Sequence, residues 1–200
     1  MSTIAPAQPT VLAPPPLASP AVYRISVDEY ERMAGILNDD RVELIDGYLV
    51  RKTGKNPPHS WSTRELLDRL AHMLPPGWMW RQDQPVRIPN YDEPEPDIAI
   101  VRGTNDDYKH RTPEPSDVAL LVEVSESTYD RDRGEKWTTY AKGGFPVYWI
   151  INLAKGRVEV YTDPSPAGYQ SREDFQPGQQ VPVTIGGQPL RPIPVADILP

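Results

Sequence analysis

A chain of 200 residues is the length of one domain with or without a tail, and too short for two full domains. Its 21 Lys and Arg against 28 Asp and Glu give a formal net charge of -7, which excludes binding to nucleic acid by bulk attraction and confines any phosphate contact to a local patch. Zero cysteines exclude disulfides, thiolate metal sites and a cysteine nucleophile; no apolar run reaches the ~20 residues of a membrane span and no basic segment precedes an apolar one, so a soluble cytoplasmic protein is expected.

Residues 1–22 are predicted to be a disordered proline-rich extension, because Pro6, Pro9, Pro14, Pro15, Pro16 and Pro20 forbid helix or ladder and no charged side chain breaks the run. The alternative for this stretch is a proline-rich docking peptide. Residues 23–200 are read as one folded domain. Ser26 and Glu29 fit a capping box for a short helix to about Ala34. Val42 to Val50 reads as two apolar strands around Asp46-Gly47, the strongest hairpin signal in the chain. From His59 to Leu74 the apolar residues Trp61, Leu66, Leu67, Leu70, Met73 and Leu74 recur at helical spacing, and Pro75-Pro76-Gly77 ends the helix.

Residues 78–88 read as a strand and Pro89 to Pro96 as a loop whose acids Asp92, Glu93 and Glu95 are expected to be solvated. Ile98 to Val101 and Val118 to Val124 read as central strands, the second, nearly uninterrupted, as one covered on both faces. A helix is predicted over Asp132 to Lys142 with Gly143-Gly144 as its stop, then a buried strand from Val147 to Asn152 and a hairpin into Val158 to Thr162. Beyond, short β-like pieces such as Gln179 to Ile185 suggest edge strands or a wrapping tail. The order of elements indicates an α/β fold, a central mixed sheet flanked by helices. The five tryptophans, Trp61, Trp78, Trp80, Trp137 and Trp149, are expected in the core or at a dimer contact rather than as base-stacking platforms.

Four charged residues interrupt or end apolar elements, where an ionised group needs a partner: Glu43, Asp97, Glu123 and Lys136. If the strands of Asp97 and Glu123 are neighbours, their charges meet at one sheet edge. At ~4 Å and an effective dielectric of ~20 such charges repel by roughly 4 kcal/mol, and a cation between them removes the penalty. Oxygen ligands without Cys or paired His suit Mg²⁺ or Mn²⁺, which implies a phosphate-handling site. Lys136 and Tyr140 share a helix face at i, i+4 spacing and would add an ammonium beside that ion.

The ordered strings Val42-Glu43-Leu44-Ile45-Asp46-Gly47, Glu95-Pro96-Asp97-Ile98-Ala99, Leu121-Val122-Glu123-Val124-Ser125, and Lys136 through Tyr140-Ala141 to Gly144-Phe145-Pro146-Val147-Tyr148-Trp149-Ile150-Ile151 resemble the PD-(D/E)XK nuclease superfamily. Within it they are similar to the Uma-two-like restriction endonuclease family, over about Tyr23 to Thr162. The resemblance implies a restriction-endonuclease-like fold and metal-dependent hydrolysis of phosphodiesters in DNA. It implies that Asp97 and Glu123 bind Mg²⁺ or Mn²⁺ by side chain, that the Val124 carbonyl joins them, and that Glu43 holds a second ion or a coordinated water. The lysine expected two residues after the second acid is replaced by Ser125, and Lys136 from the following helix would take its place.

Other residues are open to two readings. Glu43 pairs with Arg41 or Arg51 if it is only structural. His59 at a helix start either caps and lies at the surface or touches phosphate, and Tyr140 either packs or positions Lys136 or a phosphate. Arg131 and Arg133 are candidate phosphate contacts. The leading functional expectation is a DNA endonuclease acting as a homodimer, since double-strand cleavage by a single-site chain is simplest with two copies. The competing one is a non-catalytic protein-binding or assembly module that keeps the fold. A carboxylate-pair glycosidase leaves the helix lysine without a role.

Overall fold

The computed structural model describes residues 22–37 and 41–200. The expectation for the proline-rich N-terminal stretch falls, but for Val22, outside the described residues. Helix α1 (Val27–Leu37) is opened by the foreseen reciprocal cap, with Glu29 Oε2 accepting from Ser26 N–H at 2.8 Å and Ser26 Oγ accepting from Glu29 N–H at 3.3 Å. Strands β1 (Val42–Ile45) and β2 (Tyr48–Arg51) pair antiparallel around Asp46 and Gly47, whose φ angles of 49° and 80° give the left-handed turn that an Asp-Gly pair favours.

Helix α2 (Pro57–Met73) starts two residues before the expected position, because Asn56 caps it by accepting from His59 N–H at 3.0 Å and prolines at the first turn need no donor. Strand β3 (Trp78–Gln82) is shorter than the 78–88 predicted. Asp83 takes a positive φ of 53° and Pro85 has no N–H, so the chain leaves the sheet there and folds back as a loop in which Val86 N–H donates to the Pro94 carbonyl. That loop is not the solvated acidic segment expected: Glu93 is buried, and Asp92 and Glu95 are half-buried and bonded to the Asp46 N–H and to Lys52.

The central sheet adds β4 (Ile98–Arg102), β5 (Val118–Ser125), β6 (Val147–Asn152), β7 (Arg157–Ser165) and β8 (Gly168–Phe175) to β3, in spatial order β3-β4-β5-β6-β7-β8. All neighbours are antiparallel except β5 and β6, which are parallel and joined by the helical crossover that parallel pairing demands. This crossover comprises α3 (Tyr129–Arg131), a π-helical turn (Asp132–Lys136) and α4 (Trp137–Gly143), closed by Gly144 at φ 81°. A second hairpin, β9 (Gln180–Ile185) with β10 (Gln188–Pro194), folds over one face.

Alternation along β4 and β5 assigns the two faces. Ile98, Ile100, Leu120, Val122 and Val124 pack under α2 and the β9–β10 hairpin, with Leu66, Leu70, Val181 and Val183. Ala99, Val101 and Leu121 face α4, with Tyr140, Tyr148, Ile150, Tyr161 and Tyr169. By the same two-residue period, Asp97, Glu123 and Ser125 belong to the α4 face. Among the described residues, no helix is long and apolar enough to cross a membrane.

Candidate active site

Ile98 pairs with Val122, so the register extended by one residue sets Asp97 across from Glu123. Asp97 is almost wholly buried. Its Oδ2 accepts from the Val124 backbone N–H at 2.7 Å and lies 3.1 Å from His59 Nε2; its Oδ1 accepts from Lys55 Nζ at 2.6 Å. Burial opposes ionisation, but the His59 hydrogen bond and the Lys55 ammonium outweigh it and hold this carboxyl well below its ordinary range.

Glu123, also buried, accepts on Oε1 from both Lys136 Nζ and Tyr140 Oη, each at 2.8 Å. Lys136 is held further by the Glu43 carboxylate at 3.1 Å and the Glu95 carbonyl at 3.1 Å. Burial disfavours its ammonium, but Glu123, Glu43 and Asp132 together raise its pKa, and it remains a cation. Burial also drives Glu123 well above the usual carboxyl range against the pull of Lys136, with Asp132 and Asp97 adding to the rise. Glu43 pairs with Arg131 and Lys136. It lies 3.1 Å from Arg131 and accepts from the Glu95 N–H at 3.0 Å, while Arg131 also donates to the Arg51 carbonyl.

The sequence reading missed Asp132, Lys55, Asp83 and Glu95. Asp132 is buried, and its Oδ2 takes the hydroxyls of Ser125 and Thr128 at 2.6 Å each. Ser125, which stands where the superfamily pattern has lysine, thus anchors the crossover instead of supplying a charge. An α-helix leaves residues i and i+4 ~40° apart around its axis. The π turn, wider by about one residue, offsets this drift, so Asp132, Lys136 and Tyr140 all face inward beside Glu123. The four-residue spacing Asp132, Lys136, Tyr140 was the available signal; an acid opening a helix reads equally as a cap. His59 reaches the site, whereas Arg133 stacks over the Trp137 and Tyr161 rings at 4.6 and 5.1 Å and is not among the pocket residues. Trp149 lies in the core, and Trp61 and Trp80 are exposed.

A cavity of about 330 Å³ is lined by Asp97, Glu123, Asp132 and Lys136, together with Arg41, Lys52, Lys55, His59 and Arg131, whereas Glu43 and Tyr140, both fully buried, do not reach it. The donor set fits a hard divalent cation. Ser125 turns its carbonyl toward β6, where it accepts from Leu153 N–H, so Val124, one residue earlier, directs both N–H and C=O to the Asp97 side. Among the described residues no three His, Cys, Asp or Glu side chains form a ready cage. Two carboxylates and a carbonyl, open to water or phosphate on the other side, are the manner in which Mg²⁺ is commonly held.

A six-stranded mixed sheet with helices on both faces and this order of strands is a restriction-endonuclease-like fold. The family model described as Uma2, putative restriction endonuclease, matches residues 27–190, and the chain belongs to that family. A crystal structure of a putative nuclease belonging to DUF820 from Anabaena variabilis superposes with a TM-score of 0.65, covering 87% of this chain and 97% of that one at 17% identity, a likeness of fold. No curated protein matches the chain.

Proposed function

We propose that this protein is a Mg²⁺- or Mn²⁺-dependent endonuclease that hydrolyses phosphodiester bonds in DNA. The observation that carries this reading is the convergence of Asp97, Glu123 and Lys136 on one pocket, with Lys136 Nζ 2.8 Å from Glu123. DNA is chosen because the family's description names a restriction endonuclease and because the pocket gathers Arg41, Lys52, Lys55, His59 and Arg131 on a chain of net charge -7. Such a local basic rim is what phosphate contact requires of an acidic protein.

Asp97, Glu123 and the Val124 carbonyl would hold the cation. When bound, it would lower the pKa of the attacking water and stabilise charge on the non-bridging phosphate oxygens. Lys136 offers an ammonium that stays charged and supports the same developing charge. Glu43 orients Lys136 from behind. Lys136 and Tyr140 both engage Glu123 Oε1, which directs Oε2 to the cation. His59 keeps Asp97 ionised and turned inward.

The test combines Mn²⁺ titration, followed by thermal unfolding, with plasmid nicking, on the wild type, Asp97→Asn and Glu123→Gln. Mn²⁺ should raise the melting temperature of the wild type only, and nicking should disappear in both variants. An unaltered melting curve and intact plasmid for the wild type would instead favour the protein-binding module. Paired cuts in the two strands would call for two copies, and sedimentation with and without DNA would detect them.

A further inference from the structure

Three donors fill the inward lone pairs of Asp97, and they differ in their freedom to leave. The Val124 N–H is fixed in a buried strand. His59 is set by the first turn of α2, with its carbonyl and ring engaged by the Thr63 hydroxyl at 2.9 and 3.4 Å. Lys55 lies in the segment between β2 and α2, and its ammonium on a flexible four-carbon stem is shared with a second carboxylate, Asp83. Asp83 stands at the pocket rim with its side chain 43% exposed, and its backbone N–H donates to the Asp97 carbonyl at 3.3 Å. The two acids are therefore tied together by the main chain, one at the floor and one at the mouth, with one lysine between them.

An ammonium 2.6 Å from Asp97 Oδ1 occupies the place from which a divalent cation would be coordinated. The two positive charges cannot use that oxygen together without strong repulsion. We propose that Lys55 is an exchangeable counter-ion of Asp97: it holds the carboxylate until a divalent cation displaces it, then swings to Asp83 at the rim, where it meets a phosphate of the substrate. The proposal rests on the reading that Asp97 holds a cation. Lys55 becomes a positioning residue that couples cation entry to phosphate contact, and Asp83 its second station.

The test is Mn²⁺ binding by isothermal titration calorimetry, without DNA, on the full chain. Lys55→Gln and Lys55→Met both remove the competing charge and should tighten Mn²⁺ binding by about tenfold. Asp83→Asn removes the second station and should weaken it by roughly threefold or more. A general charge effect would give similar shifts, so two comparisons separate it from exchange. Lys52→Gln, in the same pocket but paired with Glu95, should move affinity much less than Lys55→Gln. In a double-mutant cycle, Asp83→Asn should have no further effect in the Lys55→Gln background.

Equal affinity in the wild type and Lys55→Gln, equal shifts for Lys52→Gln and Lys55→Gln, or additive effects of Lys55→Gln and Asp83→Asn would each overturn the exchange. Mn²⁺ binding to Lys55→Gln but not to the wild type would support it in its strongest form. No binding to any variant, including the wild type, would overturn both this inference and the cation-dependent reading, whereas normal wild-type binding untouched by Lys55→Gln would overturn the exchange alone.

Discussion

The backbone N–H of Val124 donates to Asp97 Oδ2 at 2.7 Å, so the strand that carries one acid of the pocket fixes the orientation of the other. The contact is possible because β4 and β5 pair in a register that sets Asp97 opposite Glu123. It also makes Asp97 a structural acceptor as well as a candidate ligand, and two substitutions can separate those roles.

Asp97→Asn keeps an oxygen for the Val124 N–H and loses only the ionic contacts to Lys55 and His59, whereas Asp97→Ala also leaves that buried donor without a partner, a further loss of about 1–3 kcal/mol. Both should abolish Mn²⁺-dependent stabilisation. Because the folded-state pKa of Asp97 is lowered, its ionic contribution is present above the unfolded value of about 4 and is lost as pH falls through the folded value. Urea unfolding at pH 7 and pH 3 should therefore show the gap between the wild type and Asp97→Asn narrowing in acid.

Lys136→Met leaves the buried Glu123 without its cation and Glu43 with Arg131 alone, and should destabilise by about 3–5 kcal/mol. Adding Glu43→Gln lowers the negative charge remaining around Glu123 and should recover part of that loss in denaturant unfolding. Plasmid nicking should remain absent in the double variant, which distinguishes a lysine needed for the chemistry from one needed only for the fold.

The parts legible in the sequence are those in which local chemistry and tertiary demand agree. Asp46-Gly47 suits a left-handed turn, the apolar run of β5 suits a strand covered on both faces, and Ser26 with Glu29 caps a helix without help from elsewhere. Strand β8 was not legible, because Ser171, Arg172, Glu173 and Asp174 carry no apolar alternation and are ordered by pairing with β7. The π turn was hidden for a similar reason: its anchor is Asp132 bonded to Ser125 in another element. The loop acids misled in the opposite sense, since Asp92, Glu93 and Glu95 gain partners or cover only when the β1–β2 hairpin docks on them.

Glu93 should impose a pH dependence of the reverse sign. Burial, reinforced by Glu31 and opposed by Arg87, raises its pKa to about 7, from 4.5. A raised carboxyl contributes stability fully present below its unfolded pKa and lost as pH climbs through the folded value, here a window from about 4.5 to about 7. The difference corresponds to at most about 3 kcal/mol. Glu93→Gln should therefore be more stable than the wild type at pH 8 and gain little at pH 4, as read by paired thermal or urea unfolding curves. A constant offset across that range would show that the carboxyl does not titrate in it.

Gly168, at the start of β8, should be as intolerant of a side chain as any core position. Its φ is 119°, and a Cβ there would lie 1.8 Å from Trp137 Cη2. Trp137 cannot retreat easily: its ring packs edge-on against Tyr161 and Tyr169 at 6.3 and 6.1 Å, and the Arg133 guanidinium covers it at 4.6 Å. Gly168→Ala should cost about 3 kcal/mol, from backbone strain and overpacking together. Because Trp137 follows Lys136 directly, the displaced ring should also move the ammonium away from Glu123 and lower Mn²⁺-dependent nicking in the fraction that remains folded. Trp137→Phe in the Gly168→Ala background shortens the ring and should return part of both losses, measured by urea unfolding and by nicking at matched folded concentration. Recovery of stability without nicking would mean that Trp137 fills space beside the lysine but does not position it.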